Sequence, residues 1–284
     1  MYPTAASTHT YIEKAFPKRE LFAFIAGWLI FFEGVAGAAT AFVGFAKYFT
    51  QLFAMSEYWI PLVAILLVVI LSFINWLGIE ESAMMTVLFM FIEAGGLILV
   101  VLLGFMLPKR SPNYFAFNPS LDPMIGILMG AAVFYFALAS EGIVSERLAR
   151  VDKWRKTPYI SVLISGFVAV LTILITVFLP EVTGLQLRFG EVEYKLVDIV
   201  GKTSSLAAIL AFIMVNVAVI VLRFTKPNYE RHFTIPLNIG RFPLLPTISI
   251  ALIVFFLAIS FTDWIIWVST AVVVFIGLAF YKKQ

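Results

Sequence analysis

The fold class predicted by the sequence is all-α, a multi-pass transmembrane helical bundle, and three observations carry it. Of 284 residues, 62% are hydrophobic and 13% are charged, whereas a water-soluble domain is about half apolar and about a quarter charged. The apolar residues fall into eight runs, each close to the roughly 20 residues that a helix needs to cross hydrocarbon. Strand-like alternation is absent from these runs, and a helix is the open-chain structure that satisfies its own backbone amides in lipid.

The eight runs form a single transmembrane domain over 1–284, with spans at 21–46, 59–79, 84–107, 124–143, 159–180, 204–222, 242–261 and 264–281. The first carries GWLIFFEGVAGAATAFVGF and the second begins beside Tyr58 and Trp59 and closes near Trp76. Such aromatic rings favour the headgroup layer, where they anchor helix ends. The third holds FIEAGGLILVVLLG, the fourth AAVFYFAL and the fifth ISVLISGFVAV. Uninterrupted apolar stretches are shortest in the fourth and in the sixth, which contains FIMVNVAVI. The seventh and eighth lie close together, with Trp264, Trp267 and Tyr281 near the ends of the last. Before the sixth span, the polar connection 181–203 alternates from Leu185 to Phe189. That pattern fits a short hairpin or an interfacial helix, and the residues alone leave both open.

An even number of spans leaves both termini on one side. Of the 20 Lys and Arg, six (Lys47, Lys109, Arg110, Arg188, Lys195 and Lys202) fall on the side away from the termini, and fourteen fall with the termini. Cytoplasmic loops carry the excess of Lys and Arg, so both termini are expected in the cytoplasm.

Two carboxylates fall inside spans, where a charge costs several kcal/mol unless it is paired, hydrated or protonated. Helical spacing puts Ala36, Gly37, Thr40 and Gly44 on the face of Glu33. Small residues such as Gly34, Gly37 and Gly44 let helices approach closely, so Glu33 is expected to face the bundle. One reading is a protonated Glu making an interhelical hydrogen bond; the other is a proton-binding or gating group in a transport path. Glu93 has Gly96 as its one small neighbour on the same face, so the same two readings apply with less support for burial. Asn216 fits a helix-packing hydrogen bond better than a ligand group. Ser161 and Ser165, four apart, fit bonds back to their own helix.

A net charge of +3 and a pI near 9.0 do not indicate a nucleic-acid partner, because the basic residues lie between apolar runs. With no cysteine, disulfides and Cys-ligated metals are excluded. His9 and His232 lie in polar segments far from paired carboxylates, so no metal or other cofactor is expected. No Ser/His/Asp order, phosphate-cradling loop or HExxH-like spacing occurs, and an enzyme is not expected. Met1 to Glu20 is polar and lacks the apolar core of a signal peptide; insertion is expected to use the spans themselves.

Several blocks together resemble the amino acid–polyamine–organocation superfamily of permeases. PTAASTHTYIEKAF followed by GWLIFFEGVAGAATAFVGF looks like the end of the second and the whole third helix of that family. There Pro3, Ala5 and Tyr11 match, Ala6 and Ser7 replace glycines, and Glu33 matches an acidic position. INWLGIEESAMMTVLFMFIEAGGLILVVLLG resembles the fourth and fifth helices. LARVDKWRKTPYISVLISGFVAV resembles the loop before the ninth and its start, and LAAILAFIMVNVAVIVLRFTKPNYERHFTIPL the tenth with its following loop. The last two spans fit the eleventh and twelfth.

The resemblance implies a shortened version of the family's inverted-repeat fold. It lacks the first helix, most of the second and the sixth-to-eighth region, with an internal junction near residue 138. It further implies a secondary transporter of amino acids or related amines in the cell membrane, working as a symporter with a proton or sodium as coupling ion. Glu33 and Glu93 are then the protonatable groups, and Phe134 and Tyr135 lie where the sixth helix would approach substrate. The competing expectation is a scaffold or interaction subunit, or a truncated permease, that does not transport. Small-residue faces left by absent helices are expected to favour a homo-oligomer.

Overall fold

The apolar runs fold as long helices in the structure, a computed structural model that describes residues 7–77, separate positions between Met84 and Leu102, 159–189, 192–227, Tyr229 and 238–281. A short helix α1 (Ser7–Ala15) precedes α2 (Glu20–Leu52). A 3-10 turn at Glu57–Trp59 leads into α3 (Ile60–Leu77). Then come α4 (Tyr159–Ile173), a π turn (Leu174–Phe178) and α5 (Leu179–Thr183), closed by Gly184 at φ +67, the left-handed helix ending that glycine takes without strain. Strands β1 (Leu187–Phe189) and β2 (Val192–Tyr194) pair antiparallel with Leu187 opposite Tyr194. Helix α6 (Leu196–Thr225), a second short hairpin of β3 (Asn238–Ile239) and β4 (Phe242–Pro243), α7 (Leu244–Ser260) and α8 (Trp264–Phe280) complete the order. The described positions between Met84 and Leu102 are helical. The expected span at 124–143 lies outside the described residues, as does the junction near 138.

Among the described residues, four helical stretches, Glu20–Leu52, Glu57–Leu77, Val162–Thr183 and Leu196–Thr225, are long and apolar enough to cross a membrane. Helices α7 and α8 are shorter, 17 residues each, near the lower limit of about 17 for a span. Large apolar side chains stand outward on these helices: Phe73 is 54% exposed, Phe167 68%, Phe255 66% and Phe275 70%. Water would penalise so much apolar surface, which exceeds what soluble monomers normally display; lipid is the solvent that these faces fit.

In α2 the buried positions Gly34, Val35, Ala36, Ala38 and Ala39 follow one another around the helix, about 100° apart. Partners therefore enclose it on several sides. Helix α2 packs on α1, α3, α4, α6 and α8. Phe42, Val43 and Ala46 meet Ala64, Val68 and Ala169 in the largest buried cluster. Against α6 the pairing runs antiparallel. Thr40 lies at Gly201, Leu29 clusters with Ala207 and Ala211, and Ala23 and Ala26 cluster with Ala218 and Leu222.

Two boundaries differ from the sequence expectation for a common reason. The connection expected over 181–203 contains the β1–β2 hairpin and then the first turns of α6, which begins at Leu196 rather than 204. At the other end of the chain, α2 runs past 46 to Leu52. Both extensions are helical turns with polar residues, which hydropathy does not register.

Candidate functional site

Glu33 stands in α2 about 20 Å from Glu20, at ~1.5 Å per residue, and it is half-buried. It lines a groove of about 500 Å³ formed by α2, α6, α7 and α8. Helix α6 contributes Lys202, Ser205, Ile209 and Phe212. Their spacing of three, four and three residues sets them in one stripe of a helix. The other wall comes from Phe256 and Ser260 of α7, Phe261 and Asp263 of the α7–α8 connection, and Ile266 of α8. Two carboxylates thus share the groove with one ammonium, above an aromatic and aliphatic floor.

The Lys202 Nζ donates to Asp263 Oδ2 at 3.2 Å. Asp263 immediately precedes α8, where a negative charge also favours the helix N-terminus. The two side chains are 57% and 43% exposed, and an ion pair this open is worth about 0–1 kcal/mol. It marks the mouth of the groove without locking it. What fixes α6 against α8 lies one residue away: Thr203 Oγ1 and Ser269 Oγ share a hydrogen bond of 2.6 Å, with Thr203 only 2% exposed. The Ser205 hydroxyl, on the groove side, donates to the Gly201 carbonyl at 3.1 Å.

Of the described residues singled out in the sequence, Glu33 lines this groove. Gly34 is buried and Gly37 and Gly44 are half-buried in α2; the Gly37 carbonyl accepts from Thr40 Oγ1 at 2.9 Å. Asn216 donates to the Phe212 carbonyl on its own helix at 2.9 Å, one turn below the groove. Glu93, Phe134 and Tyr135 lie outside the described residues. Lys202, Ser205 and Asp263 were not singled out. In the sequence Lys202 is one more positive charge of a connection and Asp263 part of a short link. The one available signal is the polar run Gly201 to Ser205 opening an otherwise apolar helix. Among the described residues, no three His, Cys, Asp or Glu come together in a way that would hold a metal.

The sequence profile described as amino acid permease matches the chain in two segments, residues 1–124 and 123–280. The segments meet ahead of the junction that the resemblance put near 138. The branched-chain amino acid permease BcaP of Bacillus subtilis (strain 168) is 28% identical over 158 residues, which make up 56% of this chain and 29% of that permease. The chain thus spans under a third of the length of the curated relative it matches.

Proposed function

Because this chain belongs to the amino acid permease family, we propose that it is a proton-coupled secondary transporter of amino acids or related amines, with Glu33 as the proton-binding group. The observation that supports the reading best is a carboxylate well inside an apolar helix, facing a groove shared with Lys202, Ser205 and Asp263. A charged residue at the helix centre costs about 2.5–3.5 kcal/mol on insertion scales. A group retained against that cost, and able to alternate between neutral and ionised forms, is suited to carry protons. Branched-chain amino acids are the substrates that fit, since the relative's name specifies them and Ile209, Phe212 and Phe256 offer an aliphatic side chain apolar contact. The cell membrane with both termini cytoplasmic is the setting that the distribution of Lys and Arg supports.

The test is uptake of labelled leucine into proteoliposomes under an imposed pH gradient, with wild type against Glu33→Gln. Wild-type uptake that collapses on dissipating the gradient, and falls at least about tenfold in Glu33→Gln as other lost proton-transfer groups do, is the expected result. No uptake by the wild type removes transport in favour of a scaffold. Uptake driven equally well by a sodium gradient alone removes the proton, and equal uptake by both proteins removes Glu33.

A further inference from the structure

A free amino acid carries a carboxylate and an ammonium on one carbon, and the mouth of the groove presents the complement of each. Lys202 Nζ and Asp263 Oδ2 are 3.2 Å apart. Both are about half exposed, so each is within reach of a solute without unfolding anything. A zwitterion seated there exchanges one ion pair for two, its carboxylate on Lys202 and its ammonium on Asp263, each bond charge-assisted. Glu33 supplies a second carboxylate on the same groove, and Ser205 and Ser260 supply hydroxyls. Along α6 the stripe continues from Ser205 to Ile209 and Phe212, with Phe256 facing it from α7, and these apolar side chains offer contact to an aliphatic one. The volume of about 500 Å³ lies inside the roughly 300–1,000 Å³ of small-molecule sites.

We propose that this groove between α2, α6, α7 and α8 is a binding site for zwitterionic amino acids with aliphatic side chains, and that the Lys202–Asp263 pair opens to clasp the two charges. Its use in the cell rests on the transport reading, while binding itself does not. Charge complementarity sets the selectivity. An amine without a carboxylate opens the Lys202–Asp263 pair without offering Lys202 a carboxylate in return, and a carboxylic acid without an amine replaces one ion pair with one while facing two acids.

The natural absence of cysteine allows a single reporter thiol on the groove wall, Ala208→Cys, in the full chain in lipid nanodiscs. The readout is its rate of modification by a small charged methanethiosulfonate. Leucine at about ten times its Kd is expected to slow the reaction about tenfold, by mass action, while leucinamide and 4-methylpentanoate at the same concentration leave it nearly unchanged. Protection is expected to vanish when Lys202→Gln or Asp263→Asn is added, in variants that remain monodisperse, and to survive Lys202→Arg. A thiol that does not react at all overturns the proposal, as does failure of leucine to protect. Equal protection by leucinamide and 4-methylpentanoate, or protection undiminished in both charge variants, does the same. Protection without uptake would leave the site standing and remove transport; uptake without protection would do the reverse.

Discussion

At Gly277 a hydrogen does what no side chain can. A Cβ built there would lie 2.5 Å from Trp28 Cδ1 and 2.6 Å from Nε1. The indole is held by a 2.8 Å hydrogen bond from Nε1 to the Val273 carbonyl and by the rings of Phe31 and Phe280, each 5.6 Å away. It cannot give way as the tip of a flexible chain would. Gly277→Ala is therefore expected to cost about 1–3 kcal/mol, as overpacking does, read as a lower midpoint of thermal unfolding in detergent. In a Trp28→Ala background the same change should cost far less; additive losses would sink the account. Thr203→Val leaves the shape of its buried site and removes the bond to Ser269. It is expected to cost about 0.6 kcal/mol, the mean for interhelical hydrogen bonds in bilayers, and an unchanged midpoint in Ser269→Ala and Thr203→Val alike would count against that bond. None of this was legible in the sequence. Trp28 and Val273 are 245 residues apart, and spacing along a chain says nothing of pairs that meet only after folding. Glu33 could be found because its signal is local: an acid among apolar residues.

Helices as elements were the most legible feature, since a long apolar run has one way to hide its backbone from lipid. Their ends were less so. Leu196–Thr203 and Lys47–Leu52 are helical turns outside the apolar runs, and periodicity there is masked by polar side chains. The turn inside the α4–α5 stretch has a local cause. Pro180 has no N–H to offer the carbonyl four residues back, and its ring crowds that carbonyl; just before it, Leu179 N–H reaches five residues back to the Leu174 carbonyl. The pairing of α2 with α6 is open to direct test. A Cβ on Gly201 would sit 3.6 Å from Thr40 Cβ, within the roughly 3.5–4.5 Å of disulfides. Thr40→Cys with Gly201→Cys is expected to cross-link under mild oxidation, seen by mass spectrometry of the peptides, whereas Leu29→Cys with Gly201→Cys is not. The opposite result would reverse the direction of α6 against α2.

The bundle has two unlike ends, and its orientation follows from which end carries which residues. At one end, Ile12 and Ala15 of α1 cluster with Leu222 near the end of α6, and Tyr281 after α8 lies 5.1 Å from Phe24. The first and last described elements therefore meet there, together with Lys14, Lys18, Arg19, Arg223 and Lys226. The β1–β2 hairpin and the Lys202–Asp263 pair stand at the start of α6 and of α8, at the opposite end. Because Lys and Arg concentrate on the cytoplasmic side, and on the eight-span expectation fourteen of 20 fall with the termini, the hairpin end is expected outside. An impermeant thiol reagent on intact cells should label Gln186→Cys, beside the hairpin, and leave Lys18→Cys unlabelled until the membrane is opened. Both sites lie away from the groove, so labelling reports topology alone. Labelling of Lys18→Cys in intact cells would invert the molecule and turn the mouth of the groove to the cytoplasm. Under the transport proposal, a ligand seated at Lys202 and Asp263 would then be one leaving toward the inside of the cell, and the same charges would serve release rather than capture.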